Sequence, residues 1–583
     1  MADTKSGRSA EDSAAVFGMG ATNLPARHAA SLGQAGPPEV LFQSSFDVLN
    51  GGVLFAVPAL VVTGLLRHTE KFFKLPNGYY DSTTIFLVLA FMALCRIKAV
   101  ENLRYLPPGE WGKLVGMDRI PEAKTLREKM ELLSQNEIPF EWSAALSSDW
   151  MEELPAGDAT LYVDGHVRVY NGYQTKLPKK YVARQRLCLR GVIDYWVNAM
   201  DGQPFFVVTR EVDSGILKVL DEEIIPRLER DVPNQSTTEV LASDQWLHRF
   251  IIVFDRAGYS PDFFRKMWEK RISCITYHKN PGDAWDEIEF TDQQVKLQSG
   301  DVVEMKLAER GTFLEGGNIW VREIRKLGTG GHQTAVISTL YRNHKMEVAV
   351  RMFARWSQEN FFKYMRQNYD LDKLVSYRLE DLPDTTVVVN PKYRNLDGDV
   401  RKKVARLARR RAEFGGIVLT ENIEPGKVEK YERQKAALQE EINALEKEVE
   451  LLKGQRKATQ HHITIAELPE EERFSRLSSG SKHFIDTIKM IAYRAESGMA
   501  CTIRDSMAKK DEARSLLKAI YNSGADLITD DVTKTLTVRL HRLANGKSDA
   551  AVRFLCNELN ATETTYPGTK YRMIFEQVSI QNP

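Results

Sequence analysis

The chain of 583 residues carries 80 Lys and Arg against 79 Asp and Glu, a formal net charge of +1, so no global basic field marks it as a nucleic-acid binder. Any such binding must come from local patches. Its length and an apolar content of 43% leave room for several domains with sizeable cores. The five cysteines, Cys95, Cys188, Cys274, Cys501 and Cys556, are scattered without a CxxC pair, which disfavours zinc ribbons and redox motifs and fits a reducing cytosol.

Residues 1–45 are rich in Ala, Gly, Ser and Pro without periodicity and are expected to form a loose, disordered tail. The opening Met1-Ala-Asp-Thr-Lys lacks the apolar core of a secretory signal. Residues 46–150 read as a helical domain whose last helix starts near Pro121. Two apolar runs there, 53–66 and 85–95, fall short of the ~20 residues a spanning helix needs. Pro58 and Gly64 also interrupt the first, so buried helices rather than membrane spans are expected.

The pattern then turns to β. Apolar runs at 159–163, 167–170, 187–196 and 205–209 precede a helix over 215–230, a strand at 250–254, a helix over 262–270 and a strand at 272–278. Ser260 and Pro261 give that second helix a cap and a proline at its first position. Antiparallel strands followed by strand–helix–strand give the order of an RNase H-like sheet. The fold class is therefore α/β, with the core at 156–279 and 341–400. Between them, 280–340 reads as a β-rich insertion with strands at 302–307, 319–324 and 334–340.

A basic linker at 401–426 follows, with its cations concentrated in 401–411, a local patch of the kind DNA binding would need; the same stretch also reads as a solvated linker or the start of a coiled coil. Over 427–457, Val428, Lys435, Ile442 and Val449 fall at heptad position a, and Tyr431, Leu438, Leu445 and Leu452 at d. That is about four heptads, which pair between chains or fold back as a helical hairpin, with Lys435 as a polar break in the seam. The remainder, 458–583, reads as an α+β domain with helices at 484–500, 509–522 and 549–559, the last capped by Ser548, and strands at 535–540 and 571–578.

Three acids stand out in this frame. Asp164 closes the run 159–163, Asp255 closes 250–254 just before Arg256, and Glu359 lies in Arg355-Trp-Ser-Gln-Glu-Asn-Phe-Phe-Lys363. Carboxylates on adjacent strands, completed by one on a helix, can hold a pair of divalent ions for phosphodiester chemistry. Each has an ordinary reading too. Asp164 before Gly165 can start a turn, Asp255 can cap a helix although Ser260 fills that place, and Glu359 can pair with Arg355 and Lys363 on a solvent face. Arg355, Glu359, Lys363 and Arg366 share the helical bearing of Met352. HExxH is missing, and Gly546-Lys-Ser548 has His541 where a phosphate-binding loop needs glycine, which disfavours zinc hydrolases and ATP-driven motors.

The segments around the acids resemble the DDE transposases of bacterial insertion sequences. One subgroup carries Tyr-x2-Arg-x3-Glu-x6-Lys, and its register here gives Met352, Arg355, Glu359 and Arg366. Tyr162-Val-Asp-Gly165 and 254–260 resemble its two aspartate segments, and the likeness extends through 94–133 and 484–560. The resemblance implies two magnesium ions, replaceable by manganese, on Asp164, Asp255 and Glu359. It implies cleavage at transposon ends and joining to target DNA, with double-stranded DNA as partner, a homodimer in the DNA complex, and no membrane. It further implies a bacterial, nucleoid-associated protein, with end recognition by 46–150 and phosphate contacts by Arg256, Arg355, Lys363 and Arg366. His166 is read either as a further contact near the acids or as packing. Two alternatives are a nuclease of the same fold that cuts without joining and an inactive DNA-binding or scaffolding relative.

Overall fold

A computed structural model describes residues 17–154, 159–173, 175–182, 185–210, 215–297, 302–373, 379–417, 425–507, 509–544 and 546–578. The chain forms two compact units. One comprises 1–170, 179–377 and 478–583; the other comprises 171–178 and 378–477. Among the described residues no helix is long and apolar enough to cross a membrane.

The first unit brings segments from the early and late parts of the sequence together. Helix α1 (Leu24–Ser31) presents Arg27 to Asp118, with Nη2 at 2.5 Å from Oδ1 and Nε donating to Oδ2 at 2.9 Å. The backbone N–H groups of Thr22 and Asn23 donate to the same carboxylate. Strand β1 (Ser45–Val48) then pairs with the chain's C-terminal region. Residues 17–45 are therefore not the loose tail that composition suggests, because partners far along the chain satisfy their polar groups; residues 1–16 lie outside the described residues. Helix α2 (Val57–Thr63) and helix α3 (Ser82–Leu94) account for the two apolar runs. Asp81 caps α3 through the Thr84 N–H at 2.8 Å, and α3 is buried from Thr84 to Leu94. A helix apolar on every side needs cover on every side. Helix α4 (Ile138–Met151) leads into the sheet.

Strands β2 (Thr160–Val169), β3 (Lys179–Val182), β4 (Leu187–Asn198) and β5 (Pro204–Arg210) come first. A helix (α5, Ile225–Asp231) and the strand–helix–strand β6 (Phe250–Phe254), α6 (Pro261–Glu269), β7 (Ile272–Tyr277) follow. β2 runs antiparallel to β4, and β4 antiparallel to β5; β6 is parallel to both β2 and β7. The order β5-β4-β2-β6-β7 is the RNase H-like order expected. Strands β8 (Thr291–Lys296), β9 (Val302–Leu314), β10 (Ile319–Leu327) and β11 (Gln333–Ser338) then extend it. The insertion thus joins the core sheet, β11 pairing antiparallel with β7. Gly317 lets its turn close on the start of α6, since a Cβ there would lie 2.2 Å from the Pro261 carbonyl oxygen.

Helices α7 (Lys345–Phe353) and α8 (Arg355–Tyr369) complete the core. In the second unit, α9 (Pro391–Gly416) and α10 (Pro425–Ala458) form a helical hairpin. Leu407, Ile442 and Leu445 make its buried seam, with Phe414 against it. The expected basic linker is the first arm of this hairpin. Its cations meet acids on the second, as Lys403–Glu448, Arg406–Glu441, Arg410–Glu441 and Arg411–Glu446.

Back in the first unit, α11 (Gly480–Arg504) packs against α2, α3 and α4, and α12 (Ala513–Tyr521) follows. Strands β12 (Ala525–Asp530), β13 (Thr535–Leu540) and β14 (Arg572–Gln577), with helix α13 (Asp549–Ala561) before the last, form the sheet β1-β12-β13-β14. Residues 46–150 and 478–583 therefore belong to one unit with the large mixed sheet. Ser548 makes no side-chain cap to α13, a correction to the sequence reading.

Candidate active site

β2 runs unbroken through Asp164-Gly165, where the dipeptide predicts a turn. Pairing on both sides overrides the local preference: Asp164 lies opposite Trp196 of β4, and Val163 opposite Phe254 of β6. Asp164 and Asp255 each follow that last pair, on parallel strands spaced about 4.8 Å apart. Asp255 ends β6, and its side chain makes no cap to the 3-10 turn that follows. The cap of α6 comes from Ser260, which accepts from the Phe263 N–H at 3.3 Å.

Glu359 arrives on α8. The helix breaks at Ala354, so Met352 belongs to α7 and is buried in a second hydrophobic cluster with Tyr162, Val253 and Ile275. The shared bearing predicted for Met352 and the α8 cations does not hold across that break. On α8 itself, Gln358, Phe361, Phe362, Met365 and Tyr369 form the buried stripe. Gln358 fixes the helix to the strands beside Asp164. Its Nε2 donates to the carbonyls of Tyr162 (3.3 Å) and Trp196 (3.2 Å) and to Asn198 Oδ1 at 2.8 Å. Sequence reasoning passed over this residue, although a glutamine on an apolar stripe is the signal that would find it.

Two of the acids, Asp164 and Glu359, meet at one cation, and the charge of Asp255 also acts on it. Arg355 Nη2 donates to Glu359 Oε1 at 2.5 Å, and Nη1 lies 3.5 Å from Asp164 Oδ2. Burial disfavours the Arg355 charge, but Asp164, Asp255 and Glu359 more than compensate and raise its pKa. The Tyr277 ring, at the end of β7, lies 5.9 Å from the guanidinium carbon. Among the described residues no group of three or more His, Cys, Asp or Glu is drawn together as a metal cage.

The other expected contacts are less closely gathered. Lys363 is exposed on α8, and Arg366 is held by Asp372 at 3.2 Å. Arg256 is exposed and donates to the Lys279 carbonyl. His166 is a packed residue: Nε2 lies 2.5 Å from Asp372 Oδ1, and its ring stacks on Phe362 at 5.1 Å.

A family model described as "Transposase protein" matches residues 18–579. The chain belongs to this transposase family. No curated protein matches it. Six solved chains do, among them the cryo-EM structure of a piggyBac transposase synaptic complex with hairpin DNA. That chain is 11% identical with a TM-score of 0.28, the match covering 56% of this chain and 68% of that one.

Electrostatics make a testable demand on this transposase. Burial pushes the Asp164 carboxyl up to about 6; Arg355 pulls it down, and Asp255 and Glu359 add to the rise. A carboxyl that ionises near 4 in the unfolded chain and near 6 in the folded one gives full stability only at low pH. That stability is lost as pH rises through the folded value. Asp164→Asn should therefore stabilise the metal-free protein by about 2 kcal/mol above pH 6, allowing for partial solvent screening. The gain should shrink as pH falls towards 4. Thermal or urea melts of both proteins across that range check it; an Asn variant less stable at pH 8 contradicts it.

Proposed function

We propose that this protein is a DDE transposase of the insertion-sequence type, which cleaves the DNA at transposon ends and joins those ends to target DNA. The observation that supports this reading most is that Asp164 and Glu359 both contact Arg355, on which the charge of Asp255 also acts, at the end of a parallel strand pair. An all-carboxylate donor set suits a hard divalent ion such as magnesium or manganese. Three carboxylates against one guanidinium leave the site short of positive charge; the raised pKa of Asp164 comes first from burial, and Asp255 and Glu359 add to it against the pull of Arg355. Asp164, Asp255 and Glu359 would hold two such ions. When bound, the ions supply an activated water and stabilise the leaving oxygen.

The chain's own groups do the rest. The β2–β6 backbone fixes the two aspartates, Gln358 seats the glutamate, and Arg355 offsets part of the site's negative charge. Arg355, Lys363, Arg366 and Arg256 would meet the DNA phosphates; Arg366 would have to leave Asp372 to do so. The protein would act as a homodimer on paired ends in the bacterial cytosol, associated with the nucleoid. Met352, standing where the subgroup signature has tyrosine, is fully buried (0% exposed), and Tyr277 is the phenol beside Arg355.

The test is an assay with magnesium and a linear DNA carrying the element's own inverted ends. Cut ends joined to a plasmid are expected. Cutting without joining would leave the nuclease, and neither activity would leave the inactive relative. DNA binding should also fall steeply between about 50 and 200 mM salt, because phosphate contacts release counterions. A flat response would argue against backbone contacts of any extent.

A further inference from the structure

Most cations of the basic stretch at 401–411 meet acids within their own hairpin. In a second basic segment, at 179–190, the exposed Lys179, Arg186 and Arg190 meet no acid among the described residues. The segment holds Lys179, Lys180, Arg184, Arg186 and Arg190 and no acid. We propose that the ribbon formed by β3 and the first residues of β4 is a DNA-backbone clamp, which grips the duplex some way from the bond that is cut. This rests on the reading of the protein as a DNA transposase.

The ribbon is two-stranded by construction. β4 pairs with β2 only as far as Gly191, opposite Val169; beyond it, Lys179 lies opposite Arg190 and Tyr181 opposite Cys188. Residues opposite one another in an antiparallel pair share a face, as do alternate residues on one strand. Lys179, Tyr181, Cys188 and Arg190 therefore form a single face, and all four are exposed. The opposite face is buried at Lys180 and Val182. Arg186, exposed at the turn, sits at a φ of 53°, a left-handed conformation that an arginine adopts only at some cost. Among the described residues, none of Lys179, Arg186 and Arg190 is paired with an acid. An unpaired cationic face with an exposed tyrosine among the charges fits a phosphate backbone with a sugar or base edge beside it.

Register also gives its reach. Asp164 lies opposite Trp196, and the β4 chain runs from there back to Arg190 and Leu187. At about 3.3 Å per residue those positions lie roughly 20 and 30 Å from the acids. They lie beyond the end of β6, on the side where Asp255 emerges. With a rise of about 3.4 Å per base pair, the ribbon would touch phosphates about 6–9 base pairs from the cleaved one.

The experiment compares the wild-type protein with K179A/R186A/R190A on a duplex of about 40 base pairs, across about 50 to 200 mM salt. Each lost phosphate contact should reduce the slope of log affinity against log salt by about 0.9, so the triple variant should lose about 2–3 units. K179R/R190K, which keeps the charges, should retain the wild-type slope, and matching melting curves show that the folds are intact. A triple variant with the wild-type slope overturns the clamp alone. A wild-type protein that binds no duplex at about 50 mM salt overturns the transposase chemistry on which it rests.

Discussion

Glu359→Gln and Asp255→Asn are each expected to reduce cleavage and end joining by roughly a thousandfold or more, about 4 kcal/mol of transition-state stabilisation. Binding to the transposon end should stay within a few-fold of wild type. Both variants keep the shape of the side chain and remove the charge a divalent ion requires. Neither backbone position depends on that charge. Asp255 makes no cap, and α8 is held by Gln358 and the buried Phe361 and Phe362 rather than by Glu359. Removing one carboxylate also leaves Arg355 with less to neutralise, so affinity for a phosphate backbone has no reason to fall. Joining of a pre-cut end to plasmid, alongside a binding titration, reads both quantities. If Glu359→Gln loses binding and cleavage together, its bond to Arg355 is structural and the acid has no role in chemistry.

The centre of the sheet could be read from the sequence because strands such as β6, Phe-Ile-Ile-Val-Phe, are unbroken apolar runs. The strand read at 250–254 is found at Phe250–Phe254, and the Ser260–Pro261 start of α6 is as expected. What the sequence concealed were features set by partners distant in the chain. Asp164-Gly165 has turn composition yet lies within β2, because β4 and β6 supply ladder partners on both sides. Residues 17–45 look disordered by composition, yet Arg27 finds Asp118, 91 positions along. The Arg355–Glu359 pair was legible from its four-residue spacing, but nothing in the sequence placed Asp164 3.5 Å from the same guanidinium. Gln358 was hidden by standing next to a more conspicuous glutamate.

Glu496→Ala should be the most destabilising single change in the molecule outside its apolar core, by about 3–5 kcal/mol. Its side chain is 0% exposed on α11, and it accepts from Arg96 at 2.5 Å, Tyr364 at 3.0 Å and Tyr369 at 2.6 Å. Arg514 Nη1 lies 3.7 Å from its other oxygen. Truncating it leaves the buried Arg96 and Tyr369 and the partly buried Tyr364 without this acceptor and takes a charge from beside Arg514, and the penalty comes mainly from those unpaired groups. The partners come from the end of α3, from α8 and from α12, so one carboxylate ties the helix that carries Glu359 to both flanks of the unit. Urea or thermal unfolding should register the loss, and R96M/E496L should recover part of it, since removing both charges relieves what removing one creates. A single Glu496→Ala variant within 1 kcal/mol of wild type would mean that water reaches this network. The seat of α8, and with it the position of Glu359, would then rest on Gln358 and the phenylalanines alone.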